Sequence, residues 1–344
     1  MSNFSNIMQK HQAFLAYGRG FAITTIVCFH FLQPMSLPAF MASAINLGGA
    51  GVHFFFFASG YGLMNSRYNS VANFFKARFN RVVKPYYFII TAIFLLNIPL
   101  NLYNDGWQSY LSHILLYKMF TSDISSFGGH FWYISTLLQF YLVFPVLRHL
   151  VDKTKPATAV LVSTLISLIY SGWVVYIGQT ETRQLNSFFL QFLWEFVVGM
   201  VICKTGSLER IISKPLWLYA VITVVATIVT GLLVTYFGSV GKMYNDSFSF
   251  LAYLGICIIC YRIRLFSNIL FYLDSISLPL YLTHVFVISF YIAKISIDNQ
   301  IHYLDLPVLL VLALVVAVIV NYLTSKKTVK SVTLAKSSRD AQNA

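Results

Sequence analysis

The stretch RGFAITTIVCFH, Arg19 to His30, places an arginine and a histidine at the two ends of ten mostly apolar residues. It lies inside a longer apolar run, 14–33. About 20 such residues in a helix cross the hydrocarbon of a bilayer. Charged and titratable groups are costly in lipid and turn toward protein or water. Eleven positions make close to three turns, so both side chains leave the helix from nearly the same face, about 16 Å apart along its axis. Alone, Arg19 is accounted for as an anchor at the membrane surface, and His30 as a hydrogen-bonded residue between helices. Together on one face they point to a lined passage.

The rest of the chain extends the membrane reading. Of 344 residues, 58% are hydrophobic and only 10% are charged, against about 25% charged in a soluble domain. The expected fold is all-α and polytopic, one domain over 1–325 followed by a basic tail, 326–344. Ten spans are expected, at 14–33, 48–64, 83–100, 130–147, 157–177, 187–203, 215–237, 248–261, 269–292 and 303–324. On alternating sides of those spans, 20 of the 24 Lys and Arg residues fall on the side of the N-terminus. Only Lys118, Arg183, Lys242 and Lys294 fall on the other. Basic loops stay in the cytoplasm, so both termini are expected there. The same distribution argues against nucleic-acid binding as the meaning of the +13 net charge, which lies in short clusters between apolar runs.

Other features are read conservatively. Cys257 and Cys260 form a CxxC, but on a membrane helix they are two small apolar residues of one face. No cluster has the spacing of metal ligands. The small residues at 42–44 resemble a leader cleavage site, but the segment before them is too long and too weakly basic, so the first helix is kept in the mature protein. WQSYLSHILLYKMF, 107–120, is amphipathic and is expected to lie on the membrane surface. The tail is expected to be mobile near anionic lipid.

The second chemical signal is NFFKARFNRVVKPYY, 73–87, in which Arg78, Arg81 and Lys84 recur every third residue. Positive-inside anchoring explains the charge. The spacing predicts a stripe on one helix side, and paired guanidinium groups suit phosphate, which they grip in a fork. His53, His130, Gln139, Glu195, Asp274 and His284 are further polar residues within apolar runs, and each must face protein or water.

These stretches resemble the membrane-bound acyltransferase-3 family. Arg19–Gly20 followed by His30 is similar to the family's arginine, ten residues and histidine. GVHFFFFASGY, 51–61, is similar to its Gly-Val-Asp-x-Phe-Phe-x-x-Ser-Gly-Phe, and FFKARFNRVVKPYY, 74–87, to its basic RxxR segment. HFWYISTLLQFYLVFPVL, 130–147, resembles its Trp-x-x-x-x-Glu-x-Gln-Phe-Tyr-x-x-Phe-Pro stretch. EFVVGM, 195–200, and SISLPLYLTH, 275–284, fit later helices. Two positions depart: His53 stands where the family often has Asp, and Leu137 where it often has Glu. With no further domain after the tenth span, the stand-alone form is expected.

The resemblance implies acyl transfer, commonly of acetyl from acetyl-CoA, to hydroxyls of surface glycans. Acetyl-CoA or another acyl-CoA is then the donor, its phosphates held at the cytoplasmic mouth by Arg78 and Arg81 with help from Arg19. The thioester would reach His30, the expected general base, since imidazole exchanges protons near neutral pH. A covalent acyl-histidine role stays open. Tyr133, Ser135 and Gln139 are candidate contacts to substrate or oxyanion. The acceptor would be a cell-surface glycan or lipid-linked sugar outside a bacterial plasma membrane, with envelope glycan assembly proteins as partners. A glycan exporter or other transporter is the rival; against it, the two halves of the chain show no matching broken helices.

Overall fold

The computed structural model describes residues 2–35, 37–38, 49–68 and 70–340, with side chains placed from Lys10 to Thr324 within those ranges. The small-residue stretch at 42–44 lies outside them. The described chain is helical throughout, with α- and 3-10 segments and one π-helical turn. Eight helices among the described residues are long and apolar enough to cross a membrane.

Helix α1, Ser2–Leu32, stops ahead of Pro34, which disfavours helical backbone in the residue before it. Helix α2, Gly51–Asn65, has only 15 residues and is largely buried. Helix α3, Val71–Arg78, starts on Ser70, whose hydroxyl accepts the Asn73 N–H. It passes through the π turn Phe79–Val83 into α4, Lys84–Leu100. Pro85 explains the turn, because it has no N–H and crowds the carbonyl four residues back, at Arg81.

Helix α5, Trp107–Ile114, and α6, Trp132–Lys153, follow, then α7, Pro156–Tyr176, the short α8, Arg183–Asn186, and α9, Leu193–Thr205. Gly206, at φ 62°, closes α9 in the left-handed region that glycine enters freely. After α10, Leu208–Ile212, the 47-residue α11, Leu216–Arg262, leaves helical geometry at Gly238. Its halves are the arms of a hairpin: Thr223 Oγ1 donates to Ala252 O, and Arg262 reaches back to Lys214 O. Helix α12, Ser267–Ser275, and α13, Ser277–Lys294, are separated at Ile276, and α14 runs Leu306–Asp340.

The ten sequence-expected spans find counterparts once the two arms of α11 are separated and the short α2 is included, with changed edges. The eighth begins at 239 rather than 248, and the ninth divides at Ile276. The backbone of α14 continues as helix past position 326 to Asp340. The amphipathic 107–120 segment is α-helical only to Ile114 and ends in a 3-10 turn, Lys118–Phe120. It buries Ser109, Ser112 and His113 and exposes Trp107.

Close backbone approach holds the centre together. A Cβ on Gly60 would meet Phe196 O at 2.0 Å, one on Gly199 would meet Phe57 O at 2.1 Å, and one on Gly20 would meet Leu270 O at 1.9 Å. Small residues of this kind bring membrane helices together where the hydrophobic effect gives little drive. The α2–α9 seam continues into aromatic packing, with Phe140 stacked on Phe196 at 4.3 Å and Phe56 on Phe192 at 4.9 Å.

The two ends of the bundle differ in charge. At the basic end Lys10 pairs with Glu209, Arg148 donates to Ser66 O, and Lys204 donates to Val151 O. At the sparse end Lys242 pairs with Glu181, and Gln184 donates to Thr121 O. The loops that the basic-residue count places together are thus neighbours in space.

A candidate active site between two clefts

Helix α1 carries Arg19 and His30 as expected, one toward the basic end and one toward the sparse end. Arg19 is held in a fork by Asp274 of α12, Nε to Oδ1 at 2.7 Å and a terminal nitrogen to Oδ2 at 2.9 Å. The pair lines an inner cleft of about 310 Å³ with Arg81, Ser59, Tyr133 and Tyr281. Arg19 is therefore charge-compensated. Arg81 forms no ion pair among the described residues and is exposed at the cleft.

Arg78 and Arg81, expected as one stripe, line different cavities. Arg78 lies half-buried in a lateral groove of about 560 Å³ whose walls include Phe75, Phe79, Tyr86, Ile134 and Leu142. The π turn is the reason. Its wider winding carries the chain less far round per residue, so three residues no longer return a side chain to the same face. Ser135 and Gln139 line that groove too, while Tyr133 and Leu137, one turn apart on the other side of α6, line the inner cleft. Of the three sequence candidates for contact with the reacting centre, the fold brings only Tyr133 toward it.

His30 meets two other histidines. Its ring centroid is 4.9 Å from His284 of α13 and 6.4 Å from His130, in the 3-10 turn before α6. His284 Nε2 is 3.0 Å from His30 Nδ1, which also lies 3.1 Å from Ile26 O. Tyr281 links this trio to the inner cleft. Its hydroxyl donates to His130 O, its ring is 5.5 Å from His130 and 5.2 Å from Tyr133, and it lines the cleft. Tyr281 therefore touches both the inner cleft and the histidine trio, with Tyr133 beside it.

Toward the sparse end a second cleft of about 340 Å³ is lined by Trp132, Arg183, Asn186, Gln191, Lys242 and Asp246. The Arg183 guanidinium sits over the Trp132 ring at 4.8 Å. Beneath the cleft, His53 bridges two carboxylates. Nδ1 is 2.9 Å from Glu195 Oε1, and Nε2 is 3.7 Å from Asp246 Oδ1, which Gln191 steadies from the side by donating to Oδ2 at 2.9 Å. Where the family often has Asp, this chain thus has a cationic-type partner for a fully buried glutamate.

A shoulder between this cleft and the lateral groove is built by the segment 101–129. His113 is wedged between Tyr86 Oη at 2.6 Å and Ser126 Oγ at 2.8 Å. Lys118 is buried, donating to Ile124 O at 2.9 Å over the Phe131 ring. Burial pulls its pKa down to about 7, against the opposing pull of Asp105 and Asp123.

His130, His284, Tyr281 and Arg183 belong to this centre although the sequence reading gave none of them a role. The signal for the two histidines was present, since a titratable residue inside an apolar run must face protein. Arg183 and Tyr281 gave none, because a lone arginine in a loop and a tyrosine in a helix are ordinary. Among the described residues no three His, Cys, Asp or Glu are grouped as metal ligands, and Cys257 and Cys260 are free thiols.

A family model described as an acyltransferase domain, the acyltransferase-3 type, fits residues 12–326. No curated protein and no solved structure matches the chain.

Proposed function

The chain belongs to the acyltransferase-3 family and is a multi-pass membrane acyltransferase, and from that premise we propose that it moves an acyl group, acetyl in the simplest case, from acyl-CoA at the basic end to a hydroxyl of a cell-surface polysaccharide or glycolipid at the sparse end, with His30 as general base. The observation that supports this most is the position of His30. Its surroundings reach both clefts: Tyr281, beside His130 and His284, lines the inner one with the uncompensated Arg81, and Arg183 lines the outer one, rich in amides and carboxylates.

The donor is a polyanion with a long flexible arm. Its phosphates dock on Arg81, with the free donors of Arg19 beside it. The arm displaces or passes the Tyr133–Tyr281 pair to present the thioester to His30. The acceptor, a polyhydroxylated sugar, sits in the outer cleft, where Asn186, Asn245 and Asp246 offer hydrogen bonds. His30 takes the hydroxyl proton as the oxygen attacks the thioester carbonyl. Arg183 favours the negative charge that develops on the tetrahedral centre. The carbon–sulfur bond then breaks, and the thiolate takes the proton from the imidazolium. The products are an ester and free CoA thiol, with no net proton change.

A positioned base of this kind is worth roughly 10²–10⁴-fold in rate. The test is His30→Ala in purified protein in vesicles, assayed for transfer of label from acetyl-CoA to envelope glycan. The reading requires loss of transfer with the protein still inserted. Retained transfer removes His30 from the chemistry, and movement of unmodified glycan without label identifies an exporter.

A further inference from the structure

The hydrogen bonds around His284 have only one consistent proton assignment, and that assignment reaches His30. His284 Nδ1 lies 3.0 Å from Leu280 O and 2.8 Å from Tyr281 O, the carbonyls one turn back on its own helix. A carbonyl only accepts, so Nδ1 carries the proton. In the neutral ring Nε2 is then a lone pair. That lone pair sits 3.0 Å from His30 Nδ1, whose second neighbour, Ile26 O at 3.1 Å, is again an acceptor. His30 Nδ1 must therefore be the donor to both. The one nitrogen of His30 left to take a proton is Nε2, for which no hydrogen bond appears among the described residues.

We propose that His284 is a positioning residue: it accepts the His30 Nδ1–H, fixing the tautomer and ring orientation in which His30 Nε2 is the proton acceptor. The inference rests on the reading of His30 as general base. The chain of donors runs from His30 Nδ1 to His284 Nε2, and from His284 Nδ1 to the α13 carbonyls. When His30 becomes imidazolium during the reaction, its Nδ1–H bond to His284 gains charge assistance. The departures at His53 and Leu137 remove two carboxylates that resemblance would offer as partners. His53 is committed to Glu195, and Leu137 has no acceptor at all. A neutral imidazole serves instead of a carboxylate, consistent with an apolar setting in which a second buried charge would be costly.

The experiment compares two amides of different reach. His284→Gln ends near the Nε2 position and still accepts from His30. His284→Asn ends near the Nδ1 position, satisfies the helix carbonyls and does not reach. Both are polar and similar in volume, so both are read against the same thermal unfolding control. Turnover at saturating acetyl-CoA should fall roughly 10–100-fold in the Asn variant, as for loss of a tautomer-fixing partner, with the KM for acetyl-CoA unchanged. The Gln variant should stay within about threefold of wild type by the same reasoning. Equal turnover in Asn and Gln variants, or a change confined to KM, overturns the inference. His30→Ala in the same assay separates the two claims: if it is inactive while Asn and Gln do not differ, the base stands and its positioning by His284 falls, and if it is active, both fall.

Discussion

The inner and outer clefts both set an arginine beside carboxylates, yet they distribute charge in opposite ways. At the inner cleft the one carboxylate, Asp274, is used up by Arg19, and Arg81 is left as open positive charge. At the outer cleft Asp246, and beneath it Glu195, are tied to His53 and Gln191, Lys242 is tied to Glu181, and Arg183 sits over the Trp132 ring. One mouth is built for an anion. The other presents a hydrogen-bonding surface whose carboxylates are taken up and whose Arg183 lies over an aromatic ring. Under the proposed function this asymmetry would set the direction of acyl transfer, with the phosphate-bearing donor entering beside the open Arg81 and the polyol from the other end.

The comparison can be broken most severely from the outer side. His53→Leu leaves Glu195, fully buried, without its partner, and stranding a buried charge costs about 3–5 kcal/mol. We expect a large loss of folded protein on size-exclusion chromatography after extraction. The double change His53→Leu with Glu195→Leu should recover much of it, since a buried pair replaced by apolar residues is often neutral. A stable single variant would show that the network is not structural.

At the inner side the effect is smaller and falls on the donor. Arg81→Ala should raise the KM for acetyl-CoA roughly 10–100-fold, the loss of a charge-assisted contact worth about 1.5–3 kcal/mol. Arg78→Ala, which alters the lateral groove instead, should change it less than about threefold by the same scale. Equal effects of the two would mean that they act as one site despite the π turn.

The smallest expected effect tests the shoulder beside the outer cleft. The unfolded chain holds a proton on Lys118 that the folded protein releases above about pH 7. Between there and the ordinary lysine range of about 10.5 the unfolded state binds more protons, so stability rises with pH. Lys118→Met removes this term. The melting temperature of wild type relative to Lys118→Met should therefore climb from pH 7 to pH 10, and a flat difference would contradict a buried lysine whose desolvation outweighs the pull of Asp105 and Asp123.

Much of this architecture is legible in the sequence because membrane helices announce themselves. Apolar length and basic-loop alternation locate the spans, and the Arg19–His30 spacing sets one face of α1. What stayed hidden depends on local winding or on distant partners. Arg78 and Arg81 read as one stripe under α-helical periodicity, and Pro85, visible in the sequence, does not by itself announce a π turn of five residues. Ser135 and Gln139 share a helix with Tyr133 but not its side. The Arg19–Asp274 pair joins residues 255 apart, and the His30–His284 pair residues 254 apart. No periodicity couples such positions.

The central claim is that donor and acceptor meet at His30 from opposite ends of the bundle. Labelled acetyl-CoA, which does not cross lipid, can be supplied to membrane vesicles of defined orientation that contain the protein and host envelope glycan. Inverted vesicles, with the basic end outward, should incorporate label, and right-side-out vesicles should not until they are permeabilised. Equal incorporation by intact vesicles of both orientations would contradict the account.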